Sequence, residues 1–316
     1  MVRPLSRLVL AGEAIVDLVM RVPGLPPRGG DLLAGGSAVQ VGGGFNVMAA
    51  AARQGMPVVY AGGHGTGPWG DLVRAVLAAE GIELLRAPDP KSDTGFDVAL
   101  VEPDGERTFI TSVGAETHPG GWGAIAVSPG DVVYVSGYGL VPPSAGEPAG
   151  EPAGGLGAWA AALPEGVVVF ADPGPLVADI PAATLDAVLA RCDWWSCNRR
   201  EAALLTGSDD PVAAARQLLT RVSATAGVIV RLAADGCVVA TTPDDLVIVP
   251  APSVDVVDTT GAGDAHAGVF LAGLAAGLDP RGAARRANAA AALAVTRDGP
   301  ATAPAGRELD AFLDGW

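Results

Sequence analysis

Residues 258–264 read DTTGAGD: two glycines and two threonines between terminal aspartates. Strand-like DLVIVPAPSV (245–254) precedes the segment and helix-like AHAGVFLAGLAAGL (265–278) follows it. A glycine turn feeding a helix aims unpaired N–H groups and the positive end of the helix dipole at one point. That point stabilises an anion, such as a phosphate that gains charge during transfer. Asp264 stands beside it and can accept a proton from a hydroxyl attacking phosphorus. It can equally be an N-cap, since aspartate caps helices well.

Outward from this turn, short apolar runs alternate with helical patterns. RLVLAGEAIVDLVM reads as a strand and NVMAAAARQG as a helix closed by Gly55. PVVYAGG, DVVYVSGY, GVVVFADPGP and AGVIVRLA read as buried strands. GDLVRAVLAAEG, LGAWAAAL, ATLDAVLARC, REAALLTG and PVAAARQLLTRV read as helices. This alternation predicts a mostly parallel sheet with helices on both faces, joined by right-handed crossovers. Residues 17–41 and 94–112 break it, the second as a hairpin around P-D-G, and predict a small β-sheet standing off as a lid on one domain spanning 1–316. VPPSAGEPAGEPAGG (141–155) repeats GEPA and reads as a mobile surface loop.

Composition narrows the function classes. Hydrophobic residues are 49% of 316 and aromatics only 5%, so a large core must be built mainly of Ala, Val and Leu. A formal charge of −15 argues against nucleic-acid and anionic-membrane partners, while leaving room for anions held by backbone donors. Cys192, Cys197 and Cys237 have no metal or disulfide spacing and read as reduced and packed, which fits the cytoplasm. Glu13 and Asp17 interrupt the apolar N-terminal run, against a signal peptide.

Further glycine clusters compete for attention. There is no G-x-x-x-x-G-K-[ST], but GTGPWG (65–70), with Glu83 farther on, has the outline of a dinucleotide fingerprint, weakened by Pro68 inside the turn. VGGGFNVMAAA (41–51) places Asn46 at a helix start, where a plain N-cap is the simpler reading. Asp17 and Asn46 facing one pocket would suit a polyol, because a carboxylate accepts two hydroxyls. Asn198 and Glu201, three apart in CNRREAALLTG, can orient waters around Mg²⁺.

Taken in order, LAGEAIVDL, GGGFN, GHGTGPWG, DGERTF, NRREAALLTG and DTTGAGDAHAGVFLAGL resemble the ribokinase-like (PfkB) family of carbohydrate and nucleoside kinases over nearly the whole chain. The resemblance implies a ribokinase-like three-layer α/β sandwich and transfer of the ATP γ-phosphoryl group to a primary alcohol of a sugar. It implies Asp264 as general base, with Gly261, Ala262 and Gly263 supplying the anion-hole backbone. It implies Asp17, Gly43 and Asn46 on the sugar, and Asn198 and Glu201 beside Mg²⁺ and phosphate, Glu201 through water. Asp235 and Gly236 in LAADG (232–236) fall on the nucleotide side, with Asn288 near the adenine. In members activated by K⁺ the ion lies near the anion hole; Asp258 and Thr260 fall at matching positions, with backbone carbonyls around 294–299. The lid is also the expected surface of a homodimer. GGGFN stands where ribokinases have GGKGAN, and SGYGL (136–140) where they carry a glutamate. Phe45 and Tyr138 could therefore meet a larger acceptor, including a nucleoside. A nucleoside kinase, a non-catalytic sugar or nucleotide sensor and an NAD-dependent oxidoreductase are the alternative readings.

Overall fold

The computed structural model describes residues 5–117, 121–141 and 155–316; nearly all of the GEPA loop lies outside them. In chain order the elements are β1 (Leu8–Ala11), β2 (Ala14–Arg21), β3 (Gly36–Gly43), α1 (Phe45–Arg53), β4 (Val58–Tyr60), α2 (Pro68–Ala79), β5 (Glu83–Leu84), β6 (Phe96–Val101) and β7 (Arg107–Ser112). Then follow β8 (Val132–Ser136), α3 (Gly155–Ala161), β9 (Val168–Asp172), α4 (Ala182–Arg191), β10 (Trp194–Asn198), α5 (Arg199–Thr206), α6 (Pro211–Leu219) and β11 (Gly227–Arg231). The chain ends with β12 (Cys237–Thr242), β13 (Asp245–Val249), α7 (Ala262–Ala275), α8 (Pro280–Ala294) and α9 (Gly306–Asp314).

Among the described residues the large sheet runs β13-β12-β11-β10-β9-β8-β1-β4-β5, parallel except where β12 and β13 join antiparallel. Alternation along its buried strands divides two cores. Leu8 and Leu10 face Met48, Val73, Phe270 and Ala287, on α1, α2, α7 and α8. Val9 and Ala11 face Leu156, Leu189, Ala202 and Leu218, on α3, α4, α5 and α6. This is the three-layer sandwich that the strand–helix alternation predicts. Among the described residues no helix is long and apolar enough to cross a membrane.

The run RLVLAGEAIVDLVM is two strands where one was predicted. It breaks at Gly12 and Glu13, so β1 stays in the large sheet and β2 enters a second one. A Cβ at Gly12 would lie 2.9 Å from Ser136 Cβ, so the bend needs a residue without a side chain. The second sheet runs β3-β2-β6-β7, with β2–β3 and β6–β7 antiparallel and β2–β6 parallel. Its register sets Asp17, Gln40, Asp97 and Thr111 in one rank, then Val19, Ala38, Ala99 and Phe109, then Arg21, Gly36, Val101 and Arg107. Strand side chains alternate, so these three ranks share a face.

Helix α7 is buried nearly all round, and it crosses α1 at Gly268. A Cβ there would lie 2.5 Å from the Val47 carbonyl oxygen and 2.7 Å from Ala50 Cβ. Replacing Gly268 with Ala should therefore wedge the helices apart and destabilise the fold by about 1–3 kcal/mol. Urea melts of the two proteins check this, with an unchanged midpoint removing Gly268 from the packing.

Candidate active site

The turn at 258–264 starts α7 three residues earlier than its sequence suggests. Gly261 is the N-cap, in the left-handed conformation at φ 72°, and Ala262 is already helical. The first N–H groups of a helix have no partner within it; here the Ala262 N–H donates to Thr259 O at 3.3 Å. Asp264 lies in that first turn and does not cap it. Its Oδ2 instead accepts a hydrogen bond from Asn46 Nδ2 at 3.0 Å. Asn46 does not cap α1 either; Gly44 does, and Asn46 is a buried residue of the helix. Two apparent caps are thus one cross-helix pair, set by the α1–α7 crossing. Burial raises the Asp264 carboxyl to about 6, against the Asn46 bond, with the Asp172 charge adding to the rise.

A buried arginine that carries no motif stands behind this turn. Arg231, at the end of β11, donates to Asp172 Oδ2 at 2.6 Å and to Ser196 Oγ. Its Nε lies 3.4 Å from where a Gly263 Cβ would be, which places the guanidinium in contact with the helix start. Asp172 ends β9, and Ser196 and Arg231 lie near the ends of β10 and β11. They occupy the carboxyl edge of the parallel sheet, where ligands of α/β folds bind.

The inner face of the small sheet supplies the other wall. Asp17, Arg21, Gln40, Arg107, Phe109 and Asp258 line a cavity of about 190 Å³ between this sheet and the 258–264 and 298–300 loops. Burial raises the Asp17 carboxyl to about 7, the neighbouring Asp97 charge adds to this, and Arg107 opposes it. Asp97 is pushed up to about 6 by burial. Its Oδ1 is buried without a hydrogen-bond partner, as are Asn46 Oδ1 and Gln40 Oε1. Gly42 clears the Asp17 carboxylate, since a Cβ there would lie 2.2 Å from Oδ2. Gly43 contributes a left-handed backbone turn at φ 62° against the Glu13 carbonyl. Glu13 accepts from Ser136 Oγ at 3.3 Å, and burial lifts its carboxyl to about 7.

The pfkB family carbohydrate kinase model matches residues 5–305. The chain belongs to that family. The Escherichia coli protein called uncharacterized sugar kinase YegV is 36% identical over 317 residues, covering 95% of this chain and 92% of that one. Ribokinase from Thermotoga maritima superposes with a TM-score of 0.82 at 23% identity, over 98% of this chain and 99% of that one. A putative ribokinase II from Escherichia coli, solved with ATP and Mg²⁺, gives 0.78 at 24% identity, over 99% and 100%. This chain is an ATP-dependent carbohydrate kinase, and the remaining residues can be placed in a kinase frame.

The dinucleotide outline at GTGPWG closes on the chain itself. The N–H groups of Trp69 and Gly70, opening α2, donate to Asp93 at 3.1 and 2.7 Å, so the protein's own carboxylate takes the anion position. Phe45, considered as an acceptor contact, is 4% exposed and packs in the core against the sheet. Tyr138 is half exposed. Asn198 and Glu201 form a capping box: Asn198 Oδ1 accepts from Glu201 N at 2.9 Å, and Glu201 Oε2 from Asn198 N at 2.7 Å. Glu201 is 2% exposed, and its carboxyl is raised by burial and by Asp172. Asp235 makes an exposed ion pair with Arg199 at 3.2 Å. Gly236 holds φ 92° beneath the Val249 carbonyl, and Asn288 Nδ2 donates to Val249 and Pro250 carbonyls at 2.9 and 3.1 Å. These last two pin the chain where it leaves β13, and the amide hydrogens of Asn288 face backbone there.

The two metals fare differently against these residues. Asp172, Glu201 and Asp264 surround one arginine, and among the described residues no three candidate ligands stand close enough to hold an ion directly. That suits Mg²⁺, which keeps its waters and arrives with nucleotide phosphates. A K⁺ ion at Asp258 does not fit. Asp258 Oδ1 accepts from Thr260 N at 2.8 Å, Thr260 Oγ1 at 2.7 Å and Arg107 Nη2, and Oδ2 from Gly299 N at 3.0 Å. Burial works against the Asp258 charge, and these bonds, Arg107 foremost, outweigh it and hold the carboxyl at about 2.

Stability should carry the mark of the raised carboxyls. Glu13, Asp17, Asp97 and Asp264 bind protons more tightly folded than unfolded. The stability they contribute is full below their unfolded values and is lost as pH rises through the folded ones. The melting temperature of the ligand-free protein should fall between about pH 5 and about pH 8. Asp17→Asn should flatten that fall and raise stability near pH 8 by about 1 kcal/mol, part of the carboxylate still meeting water. A steeper fall in the variant would contradict this electrostatic reading.

Proposed function

We propose that this kinase transfers the γ-phosphoryl group of ATP to a primary hydroxyl of a polyhydroxylated sugar, with Asp264 as general base. The observation that carries this is the Asn46–Asp264 pair. It turns a carboxylate with a pKa of about 6 away from its own helix end, where a cap would sit, and holds it beside the N–H groups of the turn. At pH 7 such a carboxylate is largely ionised and accepts the hydroxyl proton as the oxygen attacks phosphorus. The backbone of Gly261, Ala262 and Gly263 receives the charge gathering on the transferred group, with Arg231 behind it. Mg²⁺, held through water by Glu201, would neutralise phosphate charge when bound with ATP.

The acceptor class follows from the opposite wall. Asp97 Oδ1 and Gln40 Oε1 are buried acceptors without donors, in one rank with Asp17. Buried polar atoms without partners are costly. A ligand that brings several hydroxyl donors relieves that cost, and its hydroxyls favour the charged forms of Asp17 and Asp97. The small sheet, laid over the acceptor, keeps water from competing for the phosphoryl group.

Asp264→Asn can keep the Asn46 contact through its amide oxygen yet cannot take the proton. We expect kcat to fall on the order of 10²–10⁴-fold, with ATP affinity little changed. Wild-type kcat should rise with pH through about 6, as Asp264 ionises, and level above it. Turnover near the wild-type rate in Asp264→Asn would remove it as base. Asp97→Ala should raise the KM for the acceptor about tenfold or more and leave the KM for ATP unchanged. A phosphorylation screen over pentoses, hexoses, 2-keto-3-deoxy acids and nucleosides supplies the acceptor, and a nucleoside-only response would overturn the sugar assignment.

A further inference from the structure

Asp258 opens the loop that forms the anion-binding turn, and both of its carboxylate oxygens are engaged. A carboxylate offers about four lone-pair positions, and this one meets four donors: Thr260 N, Thr260 Oγ1, Arg107 Nη2 and Gly299 N. Two neighbouring carbonyls, those of Val295 and Ala294, are also engaged. Val295 O accepts from Val257 N at 2.7 Å and Asp258 N at 3.1 Å. Ala294 O accepts from Arg297 N at 3.1 Å and Thr302 Oγ1 at 3.0 Å. Among the described residues the cation paired with Asp258 is the Arg107 guanidinium, whose side chain is 23% exposed against 8% for Asp258.

Arg107 does not belong to the loop. It starts β7, the edge strand of the small sheet, and shares its rank with Arg21, which pairs with Asp298 next to Gly299. Two arginines of this sheet therefore hold the two loops that shape the turn. On the reading of that turn as the phosphoryl-transfer site, we propose that Arg107 is a positioning residue that supplies at Asp258 the charge a monovalent cation would otherwise bring, so that this kinase works without K⁺. A guanidinium is always protonated and cannot dissociate into solvent. An added K⁺ would have to share the Asp258 carboxylate with a fixed cation, at an oxygen, Oδ1, that already accepts from three donors. The difference from an ion is mechanical: the charge reaches Asp258 only when β7 is seated over the site, so the acceptor wall and the anion turn are completed together.

The test uses the full-length protein in buffers whose sole monovalent cation is tetramethylammonium, with KCl then replacing it at constant ionic strength. Affinity for Mg²⁺ with a non-hydrolysable ATP analogue is measured by calorimetry, and kcat with the acceptor from the screen. Wild type should be flat in both, within about twofold. Arg107→Met should lose about tenfold or more in kcat, and KCl should restore most of it, with a rise in melting temperature on adding KCl that the wild type lacks. Arg107→Lys, which keeps the charge, should stay nearer to wild type and insensitive to KCl. Activation of the wild type by K⁺ overturns the proposal, as does a folded Arg107→Met that K⁺ does not rescue. If Arg107→Met does not fold, the wild-type titration and Arg107→Lys decide. Failure of the underlying site reading shows separately, as turnover retained in Asp264→Asn whatever the response to K⁺.

Discussion

The close approach of α7 to α1 at Gly268 is the constraint on which the site depends. Two helices from distant parts of the chain lie near enough for Asn46 to reach Asp264 across 3.0 Å. Without that crossing, Asp264 would turn back on its own helix, as aspartates in a first turn commonly do. With it, the carboxylate is turned toward α1 and does not cap its own helix. The rest of the sandwich serves that alignment: β1 carries α1 to one side of the sheet, and the 250–261 loop returns α7 over the same side. The small residues along both helices permit the contact.

Charge is arranged around the alignment with little slack. Four carboxyls on the ligand side have been lifted by burial, while Arg231 is the buried cation behind the turn and Arg107 the one in front. Such an arrangement is costly in the ligand-free protein, and strained or poorly solvated groups are expected to gather where binding relieves them. On the proposed reading, a donor-rich acceptor and a hydrated dication would offer that relief. The stability of the free enzyme and its grip on substrate are thus opposed through the same side chains.

Much of this was legible in the sequence. The strand–helix alternation gives the sandwich, and DTTGAGD with GGGFN names Asp264 and Asn46. Their mutual bond was not legible, because each residue taken alone fits a cap. The split of RLVLAGEAIVDLVM was hidden as well: Gly12 and Glu13 interrupt the apolar run without a turn signature, and the cause of the bend is Ser136, more than a hundred residues away. Arg231, Asp172 and Ser196 follow no motif, because what unites them is adjacency of parallel strand ends. Asp97 and Arg107 could have been found. The hairpin alternates, so Asp97, Ala99 and Val101 share a face, and the antiparallel partner brings Arg107 to it.

The hairpin turn between β6 and β7 has a consequence for how such enzymes diversify. Gly105, at φ 87°, and the bond from Gly105 N to Glu102 O at 2.9 Å fix the turn and with it the pairing of Asp97 with Thr111 and Val101 with Arg107. The side-chain period of a strand is two, so a slip of one residue exchanges the faces. A single insertion in this solvent-exposed turn could swing Arg107 off Asp258 and offer Glu106 instead. Acceptor preference and ion requirement would then shift together in one evolutionary step. Loop-length variation here is a route to new specificity that leaves the 258–264 turn untouched.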